Sequence, residues 1–183
     1  NQDLNLFVEE KYTRAVKGGV GFAKAAGNYA ASFYPTKIAN SKGFQQVIWT
    51  DSSKHQFIEE CGTMNVWFRI EDKLITPSIS DTILSGITRD SIITLARESG
   101  IEVEEKDISI LELLDAYKND KLIEVFGTGT AVAVSPVKSI TYRNHKMSFC
   151  DISDSFAIIL KEKLQSIQRG DVMDKYGWTS KVI

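Results

Sequence analysis

Between residues 44 and 78 the chain reads FQQVIWTD, FIEE, VWFRIE and KLITPS, four short runs rich in β-branched and aromatic residues, separated by polar turns. Runs this short cannot satisfy their own backbone donors and acceptors, so they must pair with one another. The pattern predicts antiparallel hairpins and limits the fold to one organised around a sheet. Residues 4–16, with Leu6, Val8 and Tyr12, read as a further strand, as does IEVEEKDIS at 101–109. KLIEVFGTGTAVAVSPV at 121–137 reads as two β runs flanking a Gly-Thr-Gly-Thr turn.

Helical spacing appears four times. Tyr29, Phe33, Ile38 and Ala39 predict a helix from Asn28 to about Ser41, stopped by Gly43, in which Pro35 is tolerable only within the first turns. TRDSIITLARESG predicts a helix ending at Gly100, and ILELLDAYKND another. In SDSFAIILKEKLQSIQRG, the residues Phe156, Leu160, Leu164 and Ile167 share one face, and Gly170 ends the helix. Helices and strands mix without strict βαβ alternation, so the expected class is α+β.

Bulk properties narrow the function. Of the 183 residues, 43% are hydrophobic, enough for a real core. The net charge of −2 gives no basic footprint for nucleic acid. Apolar runs such as Phe156 to Leu160 are too short to cross a bilayer. Cys61 and Cys150 form no CxxC pair, which suits a reducing, cytoplasmic compartment. His55 and His145 lie in polar, turn-like stretches with no second ligand at metal spacing, so no metal is expected. The chain starts Asn-Gln-Asp and enters a strand-like run at once, the expectation being a piece of a longer protein.

Four stretches carry candidate chemistry. GGVGFAKAAGNYAAS, residues 18–32, sets Lys24 alone among small side chains. It is not a nucleotide-binding P-loop, which needs Gly before the lysine and Ser or Thr after it; here both neighbours are Ala. In LSGITRD, residues 84–90, Gly86 lets the backbone approach a ligand, and Ile87 and Thr88 begin a helix whose free amides can hold an anion. An ordinary capped start, with Thr88 near the N-cap, is the plain alternative. FGTGTA, residues 126–131, offers a tight turn at Gly127 and Gly129 with the hydroxyls of Thr128 and Thr130, an oxyanion cradle or a simple hairpin turn. Glu60 in IEECGTMN ends a β run; such a carboxylate is either solvated or held near a ligand cation. Together an amine, a carboxylate and two anion cradles describe a site for pyridoxal phosphate.

The order Lys24-x-x-Gly27-Asn28-Tyr29, Glu60-x-Gly62-Thr63-Met64-Asn65, Leu84-x-Gly86-Ile87-Thr88-Arg89 and Gly127-Thr128-Gly129-Thr130-Ala131 resembles the fold-type IV (class IV) aminotransferases. Within them it is most similar to the branched-chain amino acid aminotransferases, from about Leu6 to the Gly177-Trp178-Thr179 tail. The resemblance implies the large C-terminal, cofactor-binding domain over residues 1–183, with mixed antiparallel sheets forming a pseudobarrel surrounded by helices. It implies that Lys24 is the Schiff-base lysine, that Glu60 faces the pyridine nitrogen, and that Tyr29 bonds the cofactor's 3-oxygen. Gly86, Ile87, Thr88 and Thr130 would hold the phosphate; Thr63, Thr130 and Ala131 would lie around the substrate carboxylate.

The implied reaction is transamination between Leu, Ile or Val and 2-oxoglutarate, in a homodimer. An N-terminal domain outside this chain would supply an arginine for the phosphate and much of the side-chain pocket, so the isolated chain is expected to be inactive. Two departures stand out: Ser85 where the branched-chain enzymes usually have proline, and Trp67 where the class prefers Phe or Tyr. A D-amino acid aminotransferase, an aminodeoxychorismate lyase and a catalytically silent domain remain alternatives.

Overall fold

The short apolar runs do form a sheet. In the computed structural model, which describes residues 3–180, β1 (Asn5–Val8) is followed by α1 (Ala26–Ser41), β2 (Gln46–Thr50), β3 (Ile58–Cys61), β4 (Met64–Ile70) and β5 (Lys73–Thr76). Next come α2 (Ile87–Glu98), β6 (Glu102–Glu105), α3 (Ile110–Lys118), β7 (Leu122–Gly129) and β8 (Ala133–Pro136). Then follow β9 (Ser139–Tyr142), β10 (His145–Ser148) and α4 (Phe156–Arg169).

Hydrogen bonding joins the strands in the order β10-β9-β1-β2-β3-β4-β5-β6, and β7, carrying β8, pairs with β4 off this path. The meander from β2 to β5 is antiparallel, as predicted. Three pairs are parallel: β1 with β2, β1 with β9, and β5 with β6. A parallel pair needs a crossover, supplied by α1 between β1 and β2 and by α2 between β5 and β6. The class is α+β, with a mixed, curled sheet and helices packed around it.

Both faces of the central strands are buried, which is why β4 reads VWF rather than alternating apolar with polar. Successive side chains point to opposite faces, so Trp67 and Phe68 enter different cores. Phe68 joins Leu6, Ile48, Leu113 and Ile140 under α3, whereas Trp67 joins Leu74, Ile92, Phe126 and Leu160 under α2 and α4.

Several local expectations fail for identifiable reasons. The strand expected over residues 4–16 ends at Val8, because Glu9 turns back and its Oε1 accepts the amides of Lys11 (2.8 Å) and Tyr12 (3.1 Å). The helix expected from Asn28 begins at Ala26, and Pro35 sits in its interior rather than its first turns. The carbonyl that loses its N–H partner belongs to Ala31, on the exposed side, where water can serve it. His145 begins β10 instead of lying in a turn. The Gly-Thr-Gly-Thr segment is mostly strand: Gly127 to Gly129 are ladder residues of β7, and the turn lies at residues 130–132.

The N-terminus of α4 is anchored on β7. Buried Glu124 accepts Ser155 Oγ at 2.7 Å and the Phe156 amide at 2.6 Å, and Arg69 Nη1 lies 3.7 Å from its carboxylate. Ser155 in turn caps the helix by accepting the Ile158 amide. Glu124→Ala removes two buried acceptors and one cation's partner, and is expected to lower the unfolding free energy by about 2–3 kcal/mol. Urea denaturation checks this; a loss no larger than that of an exposed glutamate such as Glu162→Ala would show that the anchor contributes little.

Candidate active site

Small side chains precede Lys24 because backbone meets backbone there. The Phe22 amide donates to the Asp81 carbonyl at 3.0 Å, and the Gly18 amide to Asp81 Oδ2 at 2.6 Å. A Cβ on Gly21 would lie 2.6 Å from both Ala15 Cβ and Thr82 Cα, so no larger residue fits. Buried Asn28 reaches back from α1 and donates to the carbonyls of Val20 and Ala23, each at 2.9 Å. Those two bonds fix the turn that presents Lys24 two residues ahead of the helix, with its side chain exposed. The motif contains Asn28, but sequence reasoning assigns it no role; its partners lie in an irregular loop whose path no pattern predicts.

Lys24 lines a cleft of about 620 Å³ together with Tyr29, Thr63, Met64, Thr130 and Ala131. A smaller adjoining hollow of about 260 Å³ is lined by Ile87, Thr88 and again Thr130. Thr130 thus belongs to both, linking the amine end to the helix end. Glu60 and Gly86 are not among the residues lining either space.

At the second hollow, Gly86 is the N-cap of α2 and no side chain caps that end. The expected alternative of an ordinary capped start does not hold: Thr88 lies near the N-cap, as the second helical residue, but neither it nor any other side chain caps that end. Ile87 is 82% exposed, so what it contributes is its backbone amide. Gly86 runs hard against β4: a Cβ there would overlap Asn65 Oδ1. Asn65 in turn donates to the Leu84 carbonyl at 2.9 Å. The first-turn amides of α2, with their partial positive charge, are therefore held open towards an anion.

Thr128 does not take the role its motif suggests. It is buried, and its hydroxyl accepts the Trp67 indole N–H at 3.0 Å. Gly127 is required by what lies over it, because a Cβ there would stand 2.8 Å from Met64 Cε and 3.1 Å from Cys61 Sγ. Only Thr130 and Ala131, in the turn, face solvent.

Glu60 departs furthest from a solvated strand end. It lies within β3, opposite Asn65, and is 3% exposed; the turn begins after Cys61. Its Oε1 accepts the Leu84 amide at 2.7 Å, and its Oε2 lies 3.2 Å from Arg14 Nε. Burial pushes the Glu60 carboxyl up to about 7, against the opposing pull of Arg14 and the Leu84 amide. Nothing in the sequence marks Arg14, since its partner is far along the chain. The cysteine of this region, Cys61, is fully buried, and burial drives its thiol well above the ordinary range.

A primary amine, a phenol, a buried carboxylate and an uncapped helix start match the reactive groups of pyridoxal phosphate: aldehyde, ring oxygen, ring nitrogen and phosphate. The residues present fit that group.

The amino-transferase class IV family pattern matches residues 22–140. A probable branched-chain-amino-acid aminotransferase of Staphylococcus epidermidis is 45% identical over 99% of this chain and 51% of its own length. The Escherichia coli branched-chain amino acid aminotransferase superposes with a TM-score of 0.80 at 31% identity, over 96% of this chain and 54% of that one. A T.th. branched-chain amino acid aminotransferase, solved as a complex with N-(5'-phosphopyridoxyl)-L-glutamate, gives 0.80 at 26% identity, over 96% of this chain and 55% of its own. The chain spans about half the length of the curated relatives it matches. With three motifs lining one cleft, the fourth lining the hollow that shares Thr130, and the family pattern covering most of the described sheet, this chain belongs to the class IV aminotransferases.

Proposed function

We propose that the protein containing this chain transfers amino groups between L-branched-chain amino acids and 2-oxoglutarate, with pyridoxal phosphate as cofactor. The observation that carries the reading is the shared cleft, in which Lys24, Tyr29, Thr63 and Thr130 line one space that continues, through Thr130, to the open start of α2. The names of the relatives, and the phosphopyridoxyl complex of one of them, support the choice of substrate class and cofactor.

When bound, the cofactor supplies a protonated aromatic ring that accepts the electron pair left on a substrate α-carbon. The chain's own residues do the rest. Lys24 Nζ would hold the cofactor through its aldehyde carbon and, when free, would accept the proton of the substrate α-carbon and pass it on. Glu60 holds the proton on the ring nitrogen. The Tyr29 hydroxyl donates to the ring's 3-oxygen. The amides of Ile87 and Thr88, with Thr130, take the phosphate. Thr63, Thr130 and Ala131 receive the substrate carboxylate.

In this reading residues 1–183 are the C-terminal, cofactor-binding half of each subunit of a cytoplasmic homodimer. The other half supplies a phosphate-binding arginine and the wall for the branched side chain, and this half alone is inactive. Apolar side chains exposed around the Lys24 loop and α1, including Val20, Phe22, Phe33 and Tyr34, support cover by further protein there.

Lys24→Ala in the full-length protein is expected to abolish both the visible absorbance of bound cofactor and transamination of L-leucine. Retained turnover would remove Lys24 from the mechanism, and faster reaction with D-alanine than with L-leucine would move the protein to the D-amino acid branch.

A second test concerns Glu60. Its folded carboxyl titrates near 7, against 4.5 for an ordinary glutamate, so between those values the folded state keeps a proton that the unfolded chain has released. Stability of the cofactor-free protein therefore falls as pH rises from about 4.5 to about 7, by on the order of 3 kcal/mol from this group, and levels off above. Glu60→Gln is expected to remove that share of the slope, measured as urea midpoints at several pH values. A slope identical in the two proteins would place the Glu60 titration elsewhere.

A further inference from the structure

Arg14 takes no part in any motif of the cleft, yet its guanidinium is buried where three functional segments meet. Its Nη2 donates to the carbonyl of Gly21 at 3.3 Å, in the loop leading to Lys24, and to the carbonyl of Thr82, in the segment leading to α2. Its Nε stands 3.2 Å from Glu60 Oε2 on β3. That Nε–H is not aligned as a hydrogen bond, so the contact is an ion pair. It stabilises the charge without saturating the oxygen's lone pairs. The other oxygen, Oε1, is tied to the Leu84 amide. The carboxylate is thus gripped on both sides, with Oε2 left able to accept a proton donor from a ligand.

The charge balance points the same way. Next along β3, Glu59 is also buried, with its Oε2 lacking any hydrogen-bond partner. Asp51 and Asp81 add further negative potential at Glu59, and Arg14 is the cation that acts on both Glu59 and Glu60. Two adjacent buried carboxylates sharing one guanidinium cannot both ionise cheaply. Of the two, Glu60 carries both the ion pair and an amide, which oppose the upward push of burial on its carboxyl.

We propose that Arg14 is the positioning residue for Glu60: it aims that carboxylate and favours its ionised form by bracing the Lys24 loop against the segment that leads into α2. This rests on the reading of Glu60 as the partner of the cofactor's ring nitrogen.

The test is the pH dependence of pyridoxal phosphate affinity, measured on the cofactor-free full-length protein and its variants by fluorescence titration. In the natural protein, affinity falls on the acid side as Glu60 gains a proton. Arg14→Gln should move the midpoint of that fall to higher pH by about one to three units. Arg14→Lys, whose ammonium cannot reach the carboxylate and both carbonyls together, should move it the same way by less. Glu60→Gln should flatten the acid fall beyond what the cofactor's own ionisations produce.

A flattened Glu60→Gln profile with unmoved midpoints in the Arg14 variants would leave the Glu60 reading standing and overturn the role of Arg14, even if both variants melted earlier. If Arg14→Gln does not fold, an unmoved midpoint in Arg14→Lys alone overturns it. An acid fall that persists unchanged in Glu60→Gln would remove the Glu60 reading and this proposal with it.

Discussion

The architecture turns on how β4 divides one of its edges. β7 occupies one side of the strand along residues 65–70, while the other side is shared: β3 pairs at Met64 and Asn65, and β5 at Phe68 to Ile70. Between them, at Val66 and Trp67, neither neighbour is in register, and the Val66 carbonyl is met by the Thr76 hydroxyl at 2.9 Å. A divided edge forces the chain on either side to diverge. Into that divergence comes the segment around Leu84 and Gly86, which bonds both Glu60 and Asn65. The start of α2 and the carboxylate of β3 are neighbours because β4 has room for two partners on one edge.

Electrostatically the site is built from groups of very different exposure. Lys24 lies on a loop open to solvent, whereas Glu60 is buried in β3 with a guanidinium and an amide for company. A buried carboxylate is costly to keep charged, and that cost makes it responsive to an incoming cation. The open start of α2 asks for the opposite charge. A ligand carrying positive charge at one end and negative at the other is attracted at both ends, and the close contacts of Gly21 with Thr82 and of Gly86 with Asn65 hold the surrounding segments together.

Much of this can be read from residues alone, and the limits have physical causes. The hairpins of β2 to β5 and the amphipathic α4 follow from local composition and spacing, which need no knowledge of the rest of the chain. The hairpin of β9 and β10 escapes such a reading, because SITY and HKMS are short and half polar. Tyr12 carries the apparent alternation of β1 too far; Glu9 ends the strand by a turn that hydropathy does not register. The motif residues Lys24, Tyr29, Thr63 and Thr130 do share a cleft. Thr128 and Gly127 look like a binding turn until Trp67, Met64 and Cys61 are placed over them, and those contacts are tertiary. The burial of Glu60 and its pairing with Arg14 are likewise invisible in a linear pattern.

The parallel placement of β1 has a consequence in time. β1 lies between β2 and β9, and Asn5 bonds the Ser139 hydroxyl at 2.6 Å across 134 residues of chain. During synthesis at about 5–20 residues per second, β1 waits on the order of ten seconds for its second neighbour to be made. The loop bearing Lys24 runs out from that strand, so its surroundings settle only after the sheet has closed around β1. On the ribosome, Lys24 is made before the strand that completes the sheet around β1, and is housed late.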